Sequence, residues 1–333
     1  MFTMNCWRLT LGTYERSKRW RTTKMTIRDI AYVRYQASNL DEMENFLVDF
    51  GLRRSARTDR ALFMRTMDGA HHAHVTELGD ESRPLGFGFF ADSEQALRAI
   101  AARVGAPVED NPDPGSGWRV RMEDPSGFIV DALFGQQELE RLPRRNAIPT
   151  NTIHERRRLG RTVRLQPAPS QVARLGHVAL HVPDFRASKA FYEDTLGMRA
   201  SDIFYDGSED NEVGAFMSCG RGEQWTDHHT IGMIQAQDGR SRFDHCAFEV
   251  LDLDDVVQGG EFLKKRGHRH SWGVGRHVQG SQIFDYWRDP FGNKIEHWTD
   301  GDLVNDSTPV GTAEIGNDAL HQWAPPLTPE FFA

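Results

Sequence analysis

The sequence predicts an α+β fold of four β-α-β-β-β units, two in residues 25–135 and two in residues 171–300. Three observations predict it. The order strand, helix, strands recurs in both halves of the chain. The turn Asp-Pro-x-Gly occurs at Asp124–Gly127 and again at Asp289–Gly292, so that Pro125 and Pro290 lie 165 residues apart. Helices in the two halves also end alike, as Phe-x-x-Asp-x-Gly from Phe46 to Gly51 and Phe-x-x-Asp-x-x-Gly from Phe191 to Gly197. An internal repeat of this size decides the architecture before any single element does.

In the first half, Ile27–Ala37 reads as a strand and Asn39–Phe50 as a helix with Phe46 and Leu47 on its inner face. Gly51 ends that helix, because glycine accepts the left-handed conformation of a helix C-terminus. Strands follow at Ala61–Met67, Ala73–Glu77 and Leu85–Phe90, then a helix at Ser93–Val104 ended by Gly105. Trp118–Met122 and Phe128–Phe134 flank the first Asp-Pro turn, whose Pro and Gly suit a type I turn. In the second half, strands at Arg174–Val182, Val213–Cys219 and His229–Ile234 surround a helix at Arg186–Thr195. Asp244–Leu251 opens the last unit, Leu253–Lys265 is its helix, and Gln282–Trp287 and Lys294–Trp298 flank the second turn.

The remaining segments are a basic extension (1–24), a linker rich in Arg, Pro and Gln (136–170) and a tail (301–333) that wraps the surface. Residues 1–24 carry Arg8, Arg16, Lys18, Arg19, Arg21 and Lys24 against Glu15. They lack the apolar core and cleavage site of a secretory signal and read as a disordered arm or an upstream start with Met25 as the functional beginning; a transit-like peptide is the alternative. The 333 residues hold 40 Lys and Arg against 48 Asp and Glu, a formal charge of −8, which argues against a nucleic-acid partner. No apolar run approaches the ~20 residues of a membrane helix, so no membrane partner is expected. Three cysteines without a C-x-x-C spacing support neither a disulfide framework nor a zinc finger, and imply a reducing, cytoplasmic setting.

Chemistry enters with the histidines. In Leu175–Val182, alternation puts His177, Ala179 and His181 on one face and Val178, Leu180 and Val182 on the other. The aliphatic face suits packing, which leaves His177 toward a cleft or solvent. The last unit opens with His245 at the start of an apolar strand, and Glu296 lies in its final strand. One histidine in a strand is usually structural, and Glu296 alone would pass for a surface carboxylate. Two histidines in register in two units, with one carboxylate, form the ligand set of non-haem Fe(II) oxygenases. Glu296 lies 51 residues after His245, and 52 residues after His177 comes His229. A pseudo-twofold axis would therefore set His229 in the place symmetric to Glu296, as a fourth ligand or a base. His181, His228 and His297 read as structural or supporting, His268 and His270 as a surface turn, and Cys246 as a buried thiol.

The first half serves as a control. Tyr32 stands for His177, Leu85 or Gly86 for His245, and Asp131 for Glu296. His71, His72 and His74 read as a loop cluster outside the repeat positions. This half is expected to be a degenerate, metal-free copy.

These motifs resemble the type I extradiol ring-cleavage dioxygenases of the vicinal oxygen chelate superfamily. The resemblance covers residues 26–300 and is strongest over 174–302. Gly176-His177-Val178, Asp244-His245-Cys246-Ala247-Phe248 and Ile295-Glu296-His297-Trp298 resemble the three ligand motifs. His228-His229-Thr230 resembles the segment bearing the acid–base histidine, and Gly275-Arg276-His277 with Tyr286 resembles a segment lining the substrate site.

The resemblance implies Fe(II), or Mn(II), held by His177, His245 and Glu296, with a catechol-type substrate and O2 as partners. It implies cleavage beside the two hydroxyls, a homo-oligomer, an acid–base role for His229, and substrate contacts from Tyr286 and His277. Trp225, Phe284, Trp287 and Trp298 are candidates for pocket or supporting packing, and Arg276 and Arg288 for meeting a carboxylated diol. Two other readings stay open: a metal-dependent isomerase or lyase of the same fold, with a fourth protein ligand, and a metal-free protein that sequesters an aromatic ligand.

Overall fold

The computed structural model describes residues 26–316 and 320–332. The basic segment 1–24 lies outside the described residues. The first unit comprises β1 (Ile27–Ala37), α1 (Leu40–Phe50), β2 (Arg53–Arg57), β3 (Ala61–Arg65) and β4 (His74–Leu78). The second comprises β5 (Arg83–Ala91), α2 (Glu94–Val104), β6 (Glu109–Asp110), β7 (Trp118–Glu123) and β8 (Ile129–Phe134). The third has β9 (Val172–Val182), α3 (Phe185–Leu196), β10 (Met198–Asp206), β11 (Ser208–Cys219), the short β12 (Thr226–Asp227) and β13 (Ile231–Gln235). The fourth has β14 (Arg242–Val250), α4 (Leu253–Lys265), β15 (Arg269–Arg276), β16 (Ile283–Arg288) and β17 (Lys294–Thr299). The tail adds β18 (Leu303–Val304), β19 (Gly311–Glu314) and α5 (Pro329–Phe332).

The fold is α+β, with two sheets. One runs β2-β3-β4-β1-β5-β8-β7-β6, the other β15-β16-β17-β14-β9-β13-β11-β10-β19. In all four units the order follows one rule: the first strand pairs in parallel with the last, and the two middle strands extend outward. Two units join where their first strands pair antiparallel, β1 with β5 and β9 with β14. Each sheet thus has a pseudo-twofold axis through its centre.

Helices begin where a side chain caps the free N–H groups. Asn39, Ser93, Asp184 and Asp252 each accept from the first turn of α1, α2, α3 and α4, and each cap contributes about 1 kcal/mol. One hydrophobic core draws on both sheets and all four of these helices. His297 ties the halves together: its Nε2 donates to Phe50 O at 2.8 Å and its ring stacks on Phe50 at 3.7 Å. No helix among the described residues is long and apolar enough to cross a membrane.

Seven strands go beyond the sequence reading: the short β6, β12, β18 and β19, and the longer β2, β10 and β15. β2 and β15 are sheet edges, and β10 is covered only by the tail strand β19. Edge strands with exposed arginines, or with Gly273 and Gly275, lack the alternation that marks a half-buried strand. His270, read as part of a surface turn, lies in β15 with its Nε2 2.7 Å from Asp285 Oδ1.

Candidate metal centre

On β9, Val178, Leu180 and Val182 enter the core, so His177 faces the opposite side. Gly176 must be glycine, since a Cβ there would lie 2.5 Å from the Trp298 indole that packs over it. His245 comes from β14 across the twofold axis, where His177 pairs with Ala247. Glu296 lies on β17, paired with Ala247 on one side and Tyr286 on the other. Donor atoms of His177, His245 and Glu296 all lie within 4.8 Å of one another. The Nε2 atoms of both histidines are 3.3 Å from Glu296 Oε2.

Glu296 is 0% exposed, yet neither of its carboxylate oxygens accepts a hydrogen bond. Such a charge is costly to bury unless a cation meets it. Burial raises the Glu296 pKa, but the adjoining imidazoles of His177 and His245 outweigh it and hold the carboxyl near 2. Burial lowers His177. It also acts to lower His245, but Asp244 and Glu296 prevail and raise that residue.

The first half supplies the comparison. Asp131 pairs with Gly88 as Glu296 pairs with Ala247. There the carboxylate is satisfied by protein alone. Arg121 donates to it at 2.9 and 2.8 Å, and the Tyr32 hydroxyl donates to Oδ2. The same sheet position holds a neutralised carboxylate in one half and an unpartnered one, beside two imidazoles, in the other. The second donor set fits a divalent cation of the Fe(II) or Mn(II) kind.

His229 sits between Phe216, stacked at 4.2 Å, and His177, at 4.3 Å between ring centroids. Symmetry does not put it there. Ala179 pairs with Gly232 as Ala247 pairs with Glu296, so Gly232 is the residue symmetric to Glu296. His229 instead reaches the centre from the segment ahead of β13. Its Nδ1 is 3.1 Å from His228 Nδ1, and His228 Nε2 is 2.8 Å from Asp202 Oδ2. A carboxylate accepts, so His228 Nε2 carries a proton and its Nδ1 is free to accept from His229. That leaves His229 Nε2 as the open acceptor. Burial, with His177 and other neighbouring histidines, pushes His229 well below the usual range, so the ring is neutral.

The pairing also corrects the reading of His71 and His72. Val33 pairs with His74 as Val178 pairs with Ile231. His71 and His72 therefore occupy the places of His228 and His229, with the same Nδ1 contact at 3.2 Å.

Tyr286 borders the centre, its ring 5.2 Å from His245. Its hydroxyl is 2.9 Å from His277 Nε2, and His277 Nδ1 is 2.7 Å from Leu320 O. A carbonyl only accepts, so His277 donates through Nδ1 and its Nε2 accepts a hydrogen bond from the Tyr286 hydroxyl. Burial raises Tyr286, which stays a phenol, and lowers His277 to about 4. The tail segment from Leu320 thus reaches the site, which its sparse apolar pattern did not foretell.

The other residues singled out divide clearly. Phe284 stacks on His277 at 4.1 Å. Trp287 belongs to the common core, whereas Trp225 is 64% exposed. Arg276 is held by Ser281 O and Asp300, and Arg288 donates to Gly292 O at 2.9 Å. Cys246 packs into the core beneath Tyr35. Asp202 and Asp244 escaped the sequence reading; an acidic residue directly before a candidate ligand histidine was the available signal for Asp244.

Residues 174–297 match the family described as Glyoxalase/Bleomycin resistance protein/Dioxygenase superfamily. Metapyrocatechase 2 of Cupriavidus necator is 30% identical over 310 residues, covering 92% of this chain and 91% of that protein. The chain belongs to the extradiol dioxygenases of this superfamily. An iron-dependent extradiol dioxygenase of Rhodococcus jostii (strain RHA1) is 25% identical over 85% of this chain and 93% of its own length. The dioxygenase fold extends further: the Mn(II)-bound glyoxalase from Novosphingobium aromaticivorans matches with a TM-score of 0.76 at 22% identity, over 92% of this chain and 94% of that one. That likeness concerns the fold alone.

Proposed function

We propose that the protein opens the aromatic ring of a catechol-type diol beside its two hydroxyls, using O2 and one Fe(II), or Mn(II), held by His177, His245 and Glu296. The observation that carries this reading is the buried Glu296 carboxylate, without a hydrogen bond and flanked by two imidazole nitrogens 3.3 Å away. When bound, the metal acts as a Lewis acid toward the diol and offers open positions for both reactants.

The chain's own groups supply the rest. His229 Nε2 is the open acceptor beside His177 and takes a diol proton. Phe216 fixes its ring, and the His228–Asp202 pair fixes its tautomer. Tyr286 keeps its proton and donates it, with His277 as its resting acceptor. The three ligands and His229 are all buried, so water is excluded where these protons move.

An isomerase of the same fold would need a fourth protein ligand. The close cluster of ligating atoms contains three residues, without His229, which favours a dioxygenase. A metal-free binder would leave both buried Glu296 oxygens without a hydrogen bond. Two buried free thiols, Cys219 and Cys246, support the cytoplasm as the setting; a homo-oligomer follows from the resemblance and is checked by sedimentation.

The test is anaerobic purification, metal analysis and an oxygen-electrode trace with catechol. One metal per chain, one O2 per diol and a yellow semialdehyde are expected, with both atoms of labelled O2 in the product. A muconic diacid, from cleavage between the hydroxyls, would overturn the reading.

A further inference from the structure

The two histidine ligands are supported differently. His177 Nδ1 is buried and has no partner. His245 Nδ1 lies 2.6 Å from Asp244 Oδ2, and Lys294 Nζ donates to both oxygens of Asp244 at 3.0 and 3.2 Å. His181 Nε2 approaches the same carboxylate at 3.6 Å. Neighbours on a regular strand point to opposite faces, so Asp244 and His245 would ordinarily be kept apart. The register of β14 on β9 slips between Phe243 and His245, and this irregularity lets both side chains meet. Lys294 is the residue on β17 paired with His245.

The first half shows what the backbone alone requires. Pairing of β5 with β1 skips Leu85 in the same way, between Pro84 and Gly86. Gly86 then pairs with Ile129, as His245 pairs with Lys294. Leu85, Gly86 and Ile129 therefore stand where Asp244, His245 and Lys294 stand. The irregular register is common to both halves, but the charges accompany only the half with the cluster of ligands.

We propose that Asp244, clamped by Lys294, is a positioning residue for the metal: it accepts the Nδ1 proton of His245 and turns the Nε2 lone pair toward His177 and Glu296. This rests on the ligand assignment above. A carboxylate behind a ligand imidazole fixes its tautomer and raises its donor strength, and losing such a partner costs about 10–100-fold in metal affinity. The unsupported His177 would then be the weaker imidazole donor.

The experiment measures Co(II) and Fe(II) dissociation constants of the full-length protein by anaerobic chelator competition. It adds the Co(II) d–d spectrum and the melting temperature of each metal-free protein. Asp244→Asn should bind both ions about 10–100-fold more weakly, with a shifted Co(II) band and an unchanged metal-free melting temperature. Asp244→Glu should recover most of the affinity. The double variant Asp244→Leu/Lys294→Ile reproduces the pair that this fold already carries in its other half, so it provides a folded protein if Asp244→Asn does not; it should show the same loss. Affinities within about threefold of wild type, with an unchanged Co(II) spectrum, would overturn the proposal, since a partner of this kind is worth at least tenfold. Wild-type protein that binds neither ion would instead sink the ligand assignment.

Discussion

Replacing Glu296 by Gln separates a metal ligand from a structural carboxylate, because only the ligand role predicts loss of the metal-induced stabilisation. The side chain is fully buried, and neither oxygen has a hydrogen-bond donor. Without metal, the wild-type charge is opposed only by the two imidazoles. Those imidazoles outweigh the cost of burial and favour the ionised carboxylate, so metal-free Glu296→Gln should melt no higher than metal-free wild type at pH 8. Metal adds a second difference. At a free concentration 100 times its dissociation constant, a ligand stabilises the folded state by about 2.7 kcal/mol. An unfolding entropy of ~2.1 cal/mol/K per residue gives about 0.7 kcal/mol/K for 333 residues. The wild type should therefore gain about 4 °C under anaerobic Fe(II), and Glu296→Gln less than about 1 °C. The core that runs through both halves supports treating the melt as one transition. Differential scanning calorimetry with and without metal reads both numbers. A full metal shift in the variant would refute the ligand role.

Three further outcomes follow from the same geometry. His229→Phe should keep its metal and its diol affinity but slow single-turnover ring opening by about 10²–10⁴-fold, as loss of an acid–base group does; loss of metal would make His229 a ligand and favour the isomerase. In the metal-free protein His245 is raised by Asp244 and Glu296 against the effect of burial, so Co(II) titrations should show affinity falling about tenfold per pH unit below that raised value, as protons compete for Nε2; a flat profile from pH 5.5 to 8 would contradict this. His297 is lowered to about 3 by burial, so its neutral form stabilises the fold above the ordinary histidine pKa of ~6.5 and that contribution fades as pH falls. Urea unfolding should show the advantage of wild type over His297→Gln shrinking by about 1.4 kcal/mol between pH 7.5 and 5.5.

The fold and the candidate metal cluster were legible for one reason, which is repetition. The doubled Asp-Pro-x-Gly turn and the matching helix ends located four units. The in-register histidines then stood out against Tyr32 and Gly86, where the copy lacks them. What the sequence concealed depends on register and on edges. β2, β10 and β15 have one or no sheet neighbour beyond the unit's own middle strands and little apolar alternation to betray them. His229 was placed near the metal by counting residues, but the pairing of Ala179 with Gly232 shows that the symmetric position has no side chain at all. A Cβ at Gly232 would crowd the Phe216 ring that holds His229, at 3.0 Å. Spacing along the chain cannot resolve an offset of three residues between a strand and the segment before it.

The two sheets together argue that the metal is no requirement of the fold. Both share the central antiparallel pair, the skipped residue and a carboxylate on the last strand of their second unit. In the first half Asp131 meets a bidentate guanidinium, which supplies charge and geometry at once and leaves no open position. Arg121 occupies the register position of Tyr286, since each lies opposite the carboxylate across its strand pair. Exchanging an arginine for a tyrosine at that position thus has two consequences in the second half. It withdraws the internal counter-ion from Glu296, and it puts a phenol, able to donate but uncharged, at the edge of the site. The carboxylate must then be met by an ion from outside the chain, and an ion, unlike a guanidinium, can also bind a substrate.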